Sequence, residues 1–323
     1  MSAIESFTSV VEVEFPRAAL GWWVSEGDAV KQVLVDHYGA EVSGDALTPP
    51  RDCAALRAQL RTAAPCLTEF TDRIRCEFDV RKACAVLVPR LGLAGLPTDD
   101  KRRAAFALAA LIGDPTANIP FDHVIWDVQD HGGMSTRHTS FSENDREADY
   151  HADNGALRVP ERFFLLYVVH GASCGGGISL IRDGRVLRRQ LEEMPEGRSA
   201  VKVLAEAIVP RRVPKAFRQY ADVADDGYKY TPILTESAPP MWRWRKDKVY
   251  DGLAKHPEYA TAEVRHAVDM LADLLENGPD QIRQVVPTDG MIIVNNHLAL
   301  HGRTAFTDSA RHLLRLRFHE PSL

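Results

Sequence analysis

The amino-acid sequence predicts an α+β fold in which helices pack around one β-core. Three observations lead there. The first hundred or so residues carry apolar side chains at helical spacing, the chain from Phe121 onward turns to short β-rich runs separated by Gly and polar turns, and two further helical stretches interrupt those runs. With 323 residues, 45% of them apolar, the chain can bury a sizeable core. No repeat, low-complexity tract or domain linker divides it, so one enlarged domain over 1–323 is expected.

The helical spacing covers Val30 to Tyr38, Ala54 to Phe78 and Arg102 to Ile112, which makes 1–120 a mainly helical accessory region. The core is expected over 121–323. Its strands are the runs His123 to Val128, Phe163 to Val169 and Met291 to Val294, rich in β-branched and aromatic residues and suited to a buried sandwich or barrel. A helical insertion is expected at about 188–278, with helices over Arg188 to Ile208 and Thr261 to Asn277. The second puts Val264, Ala267, Val268, Leu271, Leu274 and Leu275 on one stripe and Gly278 at the stop position. Asp225-Asp226-Gly227 and Pro239-Pro240 mark loops. In a last strand from Arg311 to Phe318, alternation sets Arg311, Leu313, Arg315 and Arg317 on one face and Leu314, Leu316 and Phe318 on the other.

Composition narrows the function. A formal charge of −6 lacks the concentrated basic face needed to neutralise a phosphate backbone, so nucleic acid is not an expected partner. The short basic runs Pro210-Arg211-Arg212 and Arg243-Trp244-Arg245-Lys246 are broken by apolar residues and read as local loops. The five cysteines (Cys53, Cys66, Cys76, Cys84, Cys174) are odd in number without a C-x-x-C pair, which predicts reduced thiols rather than a disulfide framework or zinc cluster. Met1-Ser2-Ala3-Ile4-Glu5 has no basic region followed by an apolar core, and no apolar stretch is long enough for a membrane span; a cytoplasmic location is expected, with no membrane partner.

The chemistry begins at Tyr150-His151-Ala152-Asp153-Asn154-Gly155. In an extended segment residues i and i+2 project to one side, so His151 and Asp153 can bind the same ion. A third ligand is expected from His301, which follows the strand-like run Met291 to Val294. Two histidines and a carboxylate on one face of an octahedron leave three open positions, as in non-haem Fe(II) oxygenases: two for the carboxylate and keto oxygen of 2-oxoglutarate, one for dioxygen. Arg311, ten positions beyond His301, is the expected partner of the distal carboxylate, because a guanidinium is a planar bidentate donor of permanent charge.

These residues resemble the taurine dioxygenase and clavaminate synthase superfamily of Fe(II)/2-oxoglutarate oxygenases. The resemblance covers roughly 120–319 and rests on His151-Ala152-Asp153, the turn Cys174-Gly175-Gly176-Gly177-Ile178-Ser179, and Leu300-His301-Gly302-Arg303-Thr304-Ala305-Phe306 followed by Arg311-His312-Leu313. It implies a double-stranded β-helix, or jelly roll, with the metal at its open end. It also implies that Ser179 is a hydroxyl beside the co-substrate, that Arg315 is a second arginine aimed at the substrate, and that Arg243 lies in an arginine-containing segment near the pocket. Phe141-Ser142-Glu143-Asn144 would be a substrate wall, with Asn144 able to hydrogen-bond. Ala152 departs from the usual Thr.

The expected reaction is hydroxylation of an aliphatic C–H in a small, polar, carboxylate-bearing molecule such as an amino acid or natural-product intermediate, with release of succinate and carbon dioxide. Desaturation or cyclisation at the same centre, or a sulfonate or nucleotide as substrate, would use the same residues. Retention of Asp153 argues against a chlorinating variant, which needs that position vacant for halide. Two other classes fit less well. A zinc hydrolase would have no need of Arg311 or of the glycine turn. A non-catalytic jelly-roll binding protein would not need an intact triad.

Overall fold

The computed structural model describes residues 9–40, 42–119, 121–130, 144–236 and 241–322. The Met1 to Glu5 segment, Pro239-Pro240 and Phe141 to Glu143 therefore lie outside the described residues. The first part of the chain forms β1 (Val10–Glu12), α1 (Trp22–Tyr38), α2 (Cys53–Ala63), α3 (Pro65–Asp79), β2 (Ala85–Val88), α4 (Thr98–Ile112) and β3 (Asp114–Pro115). The single helix expected over Ala54 to Phe78 is two, because Pro65 lacks an N–H and stands where α3 begins. Asp52 caps α2 by accepting from the Ala55 N–H at 2.8 Å.

The mainly helical region expected over 1–120 also contributes strands to the main sheet. β2 lies inside the main sheet, parallel to β1 and antiparallel to β13 (Met291–Asn295). Its four residues Ala85-Val86-Leu87-Val88 are all buried, as a strand covered on both faces must be.

The remainder forms β4 (Trp126–Gln129), β5 (Ala148–His151), β6 (Phe163–His170), β7 (Ser179–Asp183), α5 (Gly184–Glu193), α6 (Gly197–Glu206), β8 (Val209–Arg212), β9 (Tyr228–Thr231), β10 (Leu234–Thr235), β11 (Met241–Trp242), α7 (Lys246–Lys255), α8 (Ala262–Asn277), β12 (Ile282–Gln284), β13, β14 (Ala299–Arg303) and β15 (His312–His319). The helix expected over Arg188 to Ile208 divides around Pro195, and Val209 already belongs to a strand. The insertion thus contains two small sheets, β8 with β9 and β10 with β11, besides its helices. The strand expected from His123 begins only at Trp126, since His123 and Val124 turn their carbonyls to the Asn118 side chain. Thr261 caps α8, and the Gly278 N–H bonds to the Leu274 carbonyl. Gly278 keeps an extended φ of −70°; glycine suits this position because a Cβ would lie 2.4 Å from the Leu274 oxygen.

Two sheets face each other. The larger runs β1-β2-β13-β6-β15-β3, with β4 also on β15; the smaller runs β12-β7-β14-β5. Ala85, Phe164, Ile292 and Val294 from the large sheet meet Ile181 and Ala299 from the small one. On the outer side of the large sheet, Leu165, Tyr167, Met291, Ile293, Leu314, Leu316 and Phe318 pack against α1 to α4. Outside the small sheet, Tyr150, Leu180 and Leu300 pack against α5 to α8. Helices therefore cover both outer faces, and the continuous apolar runs of β6 and β13 follow from burial on two sides. The outward face of β15 is apolar as alternation predicts, which turns its arginine face towards the space between the sheets.

All five cysteines are free. Among the described residues no helix is long and apolar enough to cross a membrane. Arg211, from one of the short basic runs, is buried and donates to the Arg243 carbonyl and the Thr231 hydroxyl.

Candidate metal centre

The antiparallel pairing of β14 with β5 sets His301 directly opposite His151, and their ring centroids are 4.3 Å apart. Asp153 follows two residues after His151, at the first turn beyond β5. One ligand atom from each of the three lies within 4.8 Å of the others. The Asp153 Oδ1 is 3.5 Å from His151 Nε2 and 3.7 Å from His301 Nε2. Donors about 2.1 Å from a first-row ion in a cis arrangement stand about 3 Å apart, so a small inward movement closes the set.

Each ligand is held from behind. The Asp149 carbonyl accepts from His151 Nδ1 at 2.8 Å, which directs the Nε2 lone pair inward. His301 packs its ring on Phe164 of the opposite sheet, with centroids 4.3 Å apart. Burial and the neighbouring His151 hold the His301 imidazole well below its ordinary pKa, so it is neutral and ready to ligate. Asn296, 2% exposed, accepts from the Asp153 N–H at 2.8 Å and donates to the carbonyls of Asp153 and Glu161, at 3.0 Å each. Burial alone would raise the Asp153 carboxyl. Arg317 and Arg315 hold it well below the usual carboxylate range.

Beyond the triad stands a second group of cations. Arg311 is 5% exposed, and its Nη1 has no hydrogen-bond partner among the described residues. Its guanidinium lies 4.8 Å from the Phe306 ring centroid, and that of Arg303 lies 4.7 Å from the same ring. Burial and the nearby Arg303 lower Arg311 to about 10. The glycine turn makes this packing possible: Gly177 has φ +69°, and a Cβ there would lie 2.7 Å from Arg311 Nε. A buried guanidinium with an unmet donor fits the distal carboxylate of 2-oxoglutarate. The two imidazoles and one carboxylate likewise fit Fe(II).

The other expected site residues fall as follows. Ser179 opens β7 opposite Arg303, on the inward face shared by Ile181. Arg315 is half-buried on the inward face of β15, close enough to influence Asp153 and His301. Asn144 accepts from the Arg146 N–H through its side chain, and its carbonyl accepts from Arg303. Arg243 is 9% exposed and donates to the carbonyls of Gly155, Leu157 and Arg158 at 2.6, 2.7 and 3.0 Å, clasping the turn that follows Asp153. Those donors go to backbone, which makes Arg243 a brace for the metal turn.

Three residues were not assigned from sequence: Arg317, Asn296 and Arg303. Arg317 Nε donates to Asp153 Oδ2 at 2.8 Å. Arg303 donates to the carbonyls of Asn144 and Arg146 and so fastens the approach to β5. The signal for Arg317 lay in its strand parity with Arg311 and Arg315; for Arg303 and Asn296 only adjacency to His301 and β13 pointed that way.

Residues 85–317 match the family model described as taurine catabolism dioxygenase TauD, TfdA family. No curated protein matches the chain. Among solved structures, the chain is similar to asparagine oxygenase in complex with Fe(II), 2S,3S-3-hydroxyasparagine and succinate (18% identity, TM-score 0.66, 97% of this chain and 93% of that one). It is also similar to the non-heme iron oxygenase OrfP with Fe, succinate and (3S)-hydroxy-L-Arg (15%, 0.65, 97% and 95%), and to OrfP with Fe and alpha-ketoglutaric acid (15%, 0.62, 98% and 95%). At these identities the likeness is one of fold.

Proposed function

The chain belongs to the TauD, TfdA family of taurine catabolism dioxygenases, and from that premise we propose that it hydroxylates an aliphatic C–H of a free amino acid or a closely related carboxylate-bearing molecule, using Fe(II) and 2-oxoglutarate. The observation that carries the reading is the His151, Asp153 and His301 set, with the buried Arg311, whose Nη1 is unmet among the described residues, just before β15 of the facing sheet. Two facing sheets sheathed by helices support a double-stranded β-helix core, and the joining of β1 and β2 to the core sheet supports one domain over 1–323.

Bound together, iron and 2-oxoglutarate supply the oxidation: dioxygen is consumed, 2-oxoglutarate leaves as succinate and carbon dioxide, and one oxygen atom enters the substrate. The residues of this chain do the placing. His151, Asp153 and His301 hold the metal from one side. Arg311 takes the distal carboxylate of the co-substrate, and Ser179 donates its hydroxyl nearby. Arg315, whose charge acts on Asp153 and His301, pairs with the substrate carboxylate. Asn144 borders the substrate, and Arg243 acts by keeping the 155–158 turn in place. The apolar packing of Phe164, Ile181 and Ala299 keeps water from the inner side of His301.

An amino acid is favoured as substrate because the structural relatives were captured with hydroxyasparagine and hydroxyarginine. The test is succinate formation across free amino acids, sulfonates and nucleotides, followed by product mass. Gain of one oxygen on an amino acid is the expected result; turnover confined to sulfonates or nucleotides would overturn the substrate assignment.

A further inference from the structure

We propose that Arg317 is a positioning residue that keeps Asp153 a one-oxygen metal ligand. The inference rests on the iron and 2-oxoglutarate reading above. The two oxygens of Asp153 have separate neighbours: Oδ1 faces the two imidazole Nε2 atoms at 3.5 and 3.7 Å, while Oδ2 accepts from Arg317 Nε at 2.8 Å. Arg317 is itself fixed. It lies inside β15, is 7% exposed, and pairs in register with Phe164 of β6. Glu161, also buried, supplies a second carboxylate in its field. Asn154 holds that carboxylate at 2.9 and 3.2 Å, and the Thr116 hydroxyl donates to it at 3.3 Å. Asn296 joins the backbones of Asp153 and Glu161. The guanidinium is therefore tied to Asp153 and lies in the field of a second, anchored carboxylate.

This arrangement decides how many coordination positions remain. A carboxylate with both oxygens free can chelate an ion through two positions, which would leave two rather than three for co-substrate and dioxygen. Drawing Oδ2 onto the metal requires breaking a charge-assisted hydrogen bond in a buried site. Arg317 thus reserves one of the three positions that 2-oxoglutarate and dioxygen share. The contact is made through Nε, and in glutamine the side-chain amide nitrogen stands at the same place along the chain, after Cβ, Cγ and Cδ. Arg317→Gln retains a donor for Oδ2 without the charge; Arg317→Met keeps similar bulk without the donor.

The experiment is anaerobic 2-oxoglutarate titration of the Fe(II)-loaded wild type and both variants, read from the visible charge-transfer band, with crystal structures of the Mn(II)-loaded forms. Arg317→Met is expected to weaken 2-oxoglutarate by about tenfold or more and to show both Asp153 oxygens on the metal, while Arg317→Gln stays within about threefold of wild type with one oxygen bound. Wild-type 2-oxoglutarate affinity in Arg317→Met, with Asp153 still bound through one oxygen, overturns the proposal. Should Arg317→Met not fold, Arg317→Gln decides: retained affinity supports positioning, and lost affinity overturns it. Absence of any band in wild type would instead overturn the functional reading on which the proposal rests.

Discussion

Arg311→Leu should move co-substrate affinity and stability in opposite directions. In the free protein the Arg311 guanidinium is 5% exposed, one of its donors is unmet, and burial together with Arg303 lowers its pKa to about 10. Among the described residues that is a buried cation without a compensating anion, and replacing it by an apolar side chain is neutral or stabilising. With 2-oxoglutarate bound, the same cation pairs with a carboxylate in a desolvated site. Truncating one partner of such a pair costs about 2 to 4 kcal/mol, or roughly thirty- to a thousandfold in dissociation constant. Calorimetric titration of the Fe(II)-loaded protein under anaerobic conditions reads the affinity, and thermal denaturation without co-substrate reads the stability. Wild-type 2-oxoglutarate affinity would remove Arg311 from the site; a large fall in melting temperature would show that the guanidinium has a structural partner.

Other consequences concern the frame of the site. Asp289, buried with φ +68°, accepts from the Gly92 and Leu93 N–H groups at 2.8 and 2.7 Å and from the Tyr167 hydroxyl at 3.0 Å, tying the α3–α4 region to β6. Asp289→Asn keeps the backbone conformation accessible but loses one acceptor, so chemical denaturation should report a loss of about 1 to 3 kcal/mol. Arg243→Met frees three carbonyls of the turn after Asp153; it should lower stability by a similar amount, about 1 to 3 kcal/mol, and weaken metal retention, whereas a change in substrate KM alone would make it a substrate contact. Burial alone would raise Asp127, but His312 at 2.5 Å and Arg102 at 2.9 Å hold its carboxyl below the ordinary range. The folded pKa is the lower one, so this contribution is fully present above about pH 4 and is lost as pH falls through the folded value. Asp127→Asn should therefore flatten the acid-side decline in stability, and an unchanged slope would count against the pairing.

Much of the site could be read from sequence because its residues are close together or periodic. His151 and Asp153 are two apart, and alternation puts Arg315 and Arg317 on one side of β15, while Arg311 stands just before that strand, whose register shifts between His312 and Leu313. What alternation could not supply was the partner itself: Arg317 and Asp153 are separated by 164 positions, and only the folded chain shows which carboxylate receives which arginine. The partners of Arg243 are likewise visible only in the folded chain, where a basic turn becomes a clasp on three carbonyls. At the level of fold, the long helices were legible from their apolar stripes. β2 was not, because four apolar residues do not distinguish a strand from a piece of helix, and its membership of the main sheet depends on β13 more than two hundred positions later. Pro65 and Pro195 break two of the expected helices, because proline has no N–H to continue the helical ladder.

The central claim is a co-substrate-dependent iron site built by His151, Asp153 and His301. Its most direct test is to add 2-oxoglutarate to the Fe(II)-loaded protein without oxygen and record the visible spectrum. A weak charge-transfer band that saturates with co-substrate and disappears in His301→Ala and Asp153→Ala is predicted. Folded wild-type protein that binds Fe(II) but gives no band with 2-oxoglutarate would contradict it.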